Sequence, residues 1–139
     1  MIGSNPNGPG PIVAGLLTTE DSPNRLAPLL NLLDITVHVK ALDLPAVDAS
    51  QVARYTRDVD AFQHLALALR FSNPPIILTI MLDQHQFRWA AKASTYPPYT
   101  IEELPIAYGY SPLVAGCLAY LQAKGHDIAA FTMLSGGRL

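Results

Sequence analysis

The chain has 139 residues and a net charge of −2, with 50% hydrophobic but only 14% charged residues. Its nine Lys and Arg never form a run, which argues against a phosphate-tracking basic face, and a single cysteine, Cys117, excludes an intramolecular disulfide. Soluble domains carry about 25% charged residues, and a chain this short has much surface for its volume. The deficit predicts surface that packs against other protein rather than water.

The longest apolar runs, Ile76–Leu82 and Leu113–Leu121, fall short of the ~20 residues that span a bilayer. No basic side chain precedes Arg25, and Ile12–Leu17 is too short for the apolar core of a secretion signal. The expectation is a cytoplasmic protein, or one assembled into a particle, without nucleic-acid or membrane partners.

Residues 1–11 (MIGSNPNGPGP) hold almost nothing apolar and predict a flexible Pro/Gly-rich arm, which becomes ordered most simply against a neighbour. Residues 12–139 read as one globular domain. Ile12–Leu17 predicts a short strand. Ser22-Pro23 reads as a helix cap with proline at the first helical position. Leu26, Leu29, Leu30 and Leu33 follow at helical spacing, with Pro28 expected to bend or shorten the helix. Ile35–Leu42 alternates, with Ile35, Val37, Val39 and Ala41 against Thr36, His38 and Lys40, and predicts the clearest strand.

Asp48-Ala49-Ser50-Gln51 resembles a capping box. The stripe Val52, Tyr55, Val59, Phe62, Ala66 and Leu69 predicts a helix to about Arg70, with Arg54 and Asp58 paired on its outer face. Its second half is ambiguous, since Leu65, Leu67, Leu69 and Phe71 also fit a strand. Beyond the breaker Ser72-Asn73-Pro74-Pro75, Ile76–Leu82 predicts a strand covered on both faces. Asp83–Gln86 turns the chain into a hairpin partner, Phe87–Ser94, with Phe87, Trp89 and Ala91 on one face. Thr95–Tyr110 predicts a long irregular connection with a turn near Ile101–Leu104. Ser111-Pro112 starts a helix with Val114, Cys117, Leu118 and Leu121 on its apolar face and Gly125 as its stop. Ile128–Leu134 predicts a final strand, and Ser135-Gly136-Gly137 frees the tail.

Gly109-Tyr110-Ser111-Pro112-Leu113, followed by Ala115-Gly116 and Lys124-Gly125-His126-Asp127, resembles the nucleophile elbow and helix of α/β-hydrolase thioesterases. The likeness covers about 30 residues and implies a catalytic Ser111. Two positions oppose it. Leu113 stands where the elbow needs a small residue, and Pro112 has no N–H to offer an oxyanion. Ser111 reads instead as a helix cap.

His38, His64, His85 and His126 lie on separate elements without a metal-ligand spacing. His38 is expected to be solvated on the polar face of its strand, and His85 to share a turn with Asp83. The acid pairs Glu20/Asp21 and Glu102/Glu103 read as first-turn helix acids, and Asp58/Asp60 diverge on a helix. No catalytic residue, metal site or cofactor is assigned. Tyrosine offers contact area at low entropy cost, so Tyr96, Tyr99, Tyr108 and Tyr110 are candidates for an interface, with Pro9 and Pro11 of the arm.

These elements predict an α+β fold, or alternatively a small α/β sandwich, with one mixed sheet of four to five strands and about three helices. The expected core is Leu30, Leu33, Val37, Val59, Phe62, Ile77, Ile80, Leu118 and Phe131. The functional expectation is a non-enzymatic structural or assembly subunit of a homo- or hetero-oligomeric particle, such as a virion or tail-like assembly, joined through apolar surface and the arm. The alternative is a small enzyme or ligand-binding domain with a pocket near His38, His85, Arg88 and the 95–110 loop; a single-partner adaptor is a third reading.

Overall fold

The computed structural model describes residues 21–95, 102–103 and 105–136. The chain divides into two units, residues 1–30 and 31–139. The arm and the strand expected at Ile12–Leu17 lie outside the described residues. Within the first unit the described residues are helical, part of α1 (Asp21–Thr36), which runs through Pro28.

In the second unit the helix does not end where the alternating pattern begins. Asn31–Thr36 continues into a π-helical turn at Val37–Ala41, so the strand expected at Ile35–Leu42 is absent. Leu33, Val37 and Ala41 are buried, and their steps of four trace one side of a helix. The β-branched residues mimicked a strand because Ile35, Val37 and Val39 happen to alternate; tertiary burial overrides that weak preference.

Asp48 starts only a short 3-10 turn, Ala49–Gln51, with no side-chain cap. The long helix expected from there begins instead at α2 (Val59–Arg70), where the Asp58 carboxylate accepts from the Asp60 N–H at 3.0 Å. The change of start displaces the apolar stripe. Ala61, Phe62, Leu65 and Leu69 face inward, and Val59, expected in the core, is 56% exposed. Residues 60–70, ambiguous in the sequence, are helical. Arg54 and Asp58 meet through backbone, Asp58 N–H to Arg54 carbonyl at 2.8 Å.

Among the described residues every strand pairing is antiparallel, where the sequence predicts a mixed sheet. β1 (Ile76–Asp83) and β2 (Arg88–Thr95) form a hairpin in full register from Ile76↔Thr95 to Asp83↔Arg88. The 95–110 connection returns twice to β2: first as the two-residue β3 (Glu102–Glu103), then as β4 (Ala107–Gly109). Because β1 occupies one edge of β2 along its whole length, β3 and β4 share the other. The class is therefore α+β, with a sheet narrower than four to five full strands. Glu102 and Glu103 are strand residues, not first-turn helix acids.

α3 (Pro112–Ala123) opens as the sequence implied. Ser111 Oγ accepts from Val114 N–H at 3.2 Å, Pro112 follows, and Gly125 takes φ +82° just past the end. It carries no charge, and all eight residues from Val114 to Leu121 are buried. It is a helix covered on all sides rather than one with a single apolar face. It packs on β1, β2 and β4 and on the π-helical turn, while the Phe62 and Tyr120 rings bring α2 to it at 6.1 Å. The final segment, expected as a strand, is a 3-10 helix (Ala129–Leu134) that buries Phe131 and Leu134. Tyr110 N–H donates to the Leu134 carbonyl at 3.0 Å and ties this segment to the start of α3.

Small residues set the distances. A Cβ on Gly109 would collide with the backbone nitrogen of Ala115, so glycine there lets β4 approach α3. A Cβ on Gly116 would stand 2.5 Å from Phe62 Cζ and 3.1 Å from Leu78 Cδ2. Helix propensity alone favours alanine over glycine by about 1 kcal/mol, but overpacking a filled core costs about 1–3 kcal/mol. Gly116→Ala is therefore expected to destabilise the protein, read as a lower urea midpoint with unchanged slope.

Candidate functional site

The most constrained polar group is Asp34, 3% exposed on the last turn of α1. Its Oδ1 accepts from the Thr56 N–H and the Thr56 hydroxyl, both at 2.9 Å. Its Oδ2 accepts from Arg57 Nη2 at 2.9 Å, and the same nitrogen donates to Asn31 Oδ1 at 2.7 Å. Burying a carboxylate without partners is prohibitive; three donors, one of them charged, offset that cost. The cluster pins the turn at 55–58 against α1. A continuous helix through 52–70 would leave Asp34 unmatched, which is why α2 starts late.

Asn31, Asp34, Ser50, Arg54 and Arg57 line a cavity of about 190 Å³ beside this network. Its walls offer guanidinium, hydroxyl and amide donors, with the carboxylate already engaged. The sequence analysis missed this cluster. The available signal was an aspartate inside the apolar stripe of α1, but its partners are 22 and 23 residues away.

Burial governs the titratable groups nearby. The Cys117 thiol is pushed well above its ordinary 9.0, first by burial and then by the Asp34 charge. Tyr55 is raised by the same two causes and by Cys117. Tyr120 is raised by burial and then Cys117. Tyr110 is raised by burial, and the Arg57 guanidinium opposes that.

The expected site residues are not brought together. Pro9, Pro11, Tyr96 and Tyr99 lie outside the described residues. Tyr108 lies beneath Arg88, whose guanidinium carbon is 3.5 Å from the ring centroid, and Arg88 also pairs with Asp83 at 3.3 Å. Tyr110 is 40% exposed at the head of α3. His38 sits on the π-helical turn rather than a strand; its Nε2–H donates to the Pro45 carbonyl at 3.0 Å, and its Nδ1 is buried without a partner. His64 and His85 are exposed on different elements, and His126 follows α3. Asp83, which the sequence placed with His85, pairs with Arg88. Neither described cavity is lined by His38, His85 or Arg88. Among the described residues no group of three or more His, Cys, Asp or Glu could hold a metal ion. Ser111 is engaged as the cap of α3.

A second region is apolar. Among the described residues β1 pairs only with β2, and no described strand pairs with its other edge. Expected to be covered on both faces, β1 instead exposes Ile77 at 45% and Met81 at 57%. Ile77 was placed in the core from its position within an unbroken apolar run; only the other face, with Ile76, Leu78 and Ile80, turns toward the helices. Beside β1 an apolar cavity of about 260 Å³ is walled by Phe62, Ala66, Arg70, Ile76, Ile80 and Tyr120.

The chain matches no known protein family, no curated protein and no solved structure. Among the described residues no helix is long and apolar enough to cross a membrane.

Removing one member of a buried ion pair costs about 3–5 kcal/mol because the partners are left unmatched. Asp34→Ala is expected to lose stability in that range, and Thr56→Val about 1 kcal/mol, both measured by urea denaturation. The raised thiol has its own signature. Its neutral form is favoured by folding, so the contribution is complete below about pH 9 and falls away as pH rises through the higher folded-state value. Cys117 is expected to resist a thiol reagent at pH 8 until the protein unfolds, and a Cys117→Ala variant is expected to lose less stability between pH 8 and 11 than the parent.

Proposed function

We propose that this chain is a non-enzymatic assembly subunit, joined to other subunits through apolar surface, with the 1–11 arm reaching a neighbour. The carrying observation is the edge and outer face of β1, which no other described residues pair with or cover. A long, uncharged edge strand invites pairing with another chain, and proteins that stay monomeric blunt such edges with lysine, proline or a bulge. None of those devices lies between Ile76 and Leu82. Phe71, Phe87 and Met133 add exposed apolar area elsewhere in the same unit. The low charge content supports the same reading, as does the absence of a nucleophile–base pair in either described cavity.

Light scattering of the purified protein over a hundredfold concentration range tests this. An oligomer is expected, with deletion of residues 1–11 lowering its mass while the circular dichroism of the folded chain is retained. A monomer at every concentration, with no partner recovered, overturns the proposal.

A further inference from the structure

Resting on that assembly reading, we infer that the partner at β1 is a second copy of the same strand, paired antiparallel about a two-fold axis at Thr79. Thr79 is the midpoint of the uncharged run, so this register alone pairs all seven of its residues with one another. Centring on Thr79 sets Ile76 opposite Leu82 of the second copy, Ile77 opposite Met81 and Leu78 opposite Ile80, with Thr79 facing its own counterpart. Every one of these seven residues is uncharged. Moving the centre by one residue, to Ile80, sets the charged Asp83 against the apolar Ile77.

Both faces of the strand have room for the pairing. Outward, Ile77 and Met81 are uncovered and would lie side by side across the axis. Inward, the apolar cavity between α2 and β1 takes the second copy's Leu78, Ile80 and Leu82. Its lining includes the consecutive residues Ile76, Ile77 and Leu78. Consecutive strand residues point to opposite faces, so the cavity reaches around the backbone edge where an added strand would lie. In this register Asp83 of the second copy falls opposite Pro75, outside the uncharged run.

Directly opposed strand residues have Cα atoms about 4.5–5.5 Å apart, within disulfide reach. Thr79 is exposed, so a cysteine there does not disturb the core. Under mild oxidation Thr79→Cys is expected to give a covalent dimer in most of the protein. The parent, whose Cys117 is buried, gives none, and the exposed control Gln63→Cys gives little. Met81→Lys is expected to halve the mass seen by light scattering without changing the circular dichroism. If the parent is oligomeric but Thr79→Cys links no better than Gln63→Cys, the self-paired register is wrong while the assembly reading stands. A parent that is monomeric throughout overturns both.

Discussion

An uncharged helix that must be covered on every side organises the second unit. From Val114 to Leu121 no side chain of α3 can face water without cost, so each neighbouring element exists as a wall. The sheet supplies one wall, and it can approach only because Ala91, Ala93, Ala107 and Gly109 keep that face low. The Phe62 ring of α2 supplies another, seated over Gly116. Leu33, Val37 and Ala41 come from the continuation of α1, and Phe131 and Leu134 from the closing 3-10 helix. Cys117, at the middle of this enclosure, has its thiol raised first by burial and then by the Asp34 charge.

Among the described residues, the Asp34 cluster brings a buried carboxylate into this enclosure. Apolar burial is indifferent to small shifts in register, whereas a buried carboxylate with three specific donors is not. Thr56 and Arg57 must arrive at one place, and that requirement breaks what would otherwise read as a single helix from Asp48 to Arg70. The break leaves a polar hollow between the 3-10 turn and α1, edged by Arg54 and Arg57. The hollow follows from satisfying Asp34, and its donors are those the network leaves over.

Legibility in the sequence followed how local each cause was. The start of α3 was readable because Ser111, Pro112 and Gly125 act within a few residues of themselves, and the β1–β2 hairpin because a polar turn separates two apolar runs. The strands expected at Ile35–Leu42 and Ile128–Leu134 failed because short β-branched or apolar runs do not distinguish strand from helix once tertiary burial decides. β3 and β4 were hidden in a segment whose prolines and tyrosines suggested irregular loop. The site was hardest: Asp34 looks like an interruption in a leucine stripe until Thr56 and Arg57 are seen beside it. The overall α+β class survived because it depends on the existence of elements and not on their bounds.

The scarcity of charge noted at the outset is unevenly distributed, and that bears on how the subunit would associate. α3 accounts for twelve uncharged residues, eight of which folding buries. The seven from Ile76 to Leu82 are different, because folding hides only one face of them. Seven residues at about 3.4 Å each make an edge about 24 Å long, which by itself buries far less than the ~800 Å² per partner of a stable interface. Strand pairing alone would therefore give a weak dimer. What raises it is the side-chain layer on either side: Ile77 and Met81 outside, and the cavity under Phe62 and Tyr120 inside. Phe71 and Met133 remain uncovered by this pairing, at 79% and 63% exposure. On the proposed reading, a two-fold contact at β1 would leave those residues for different neighbours.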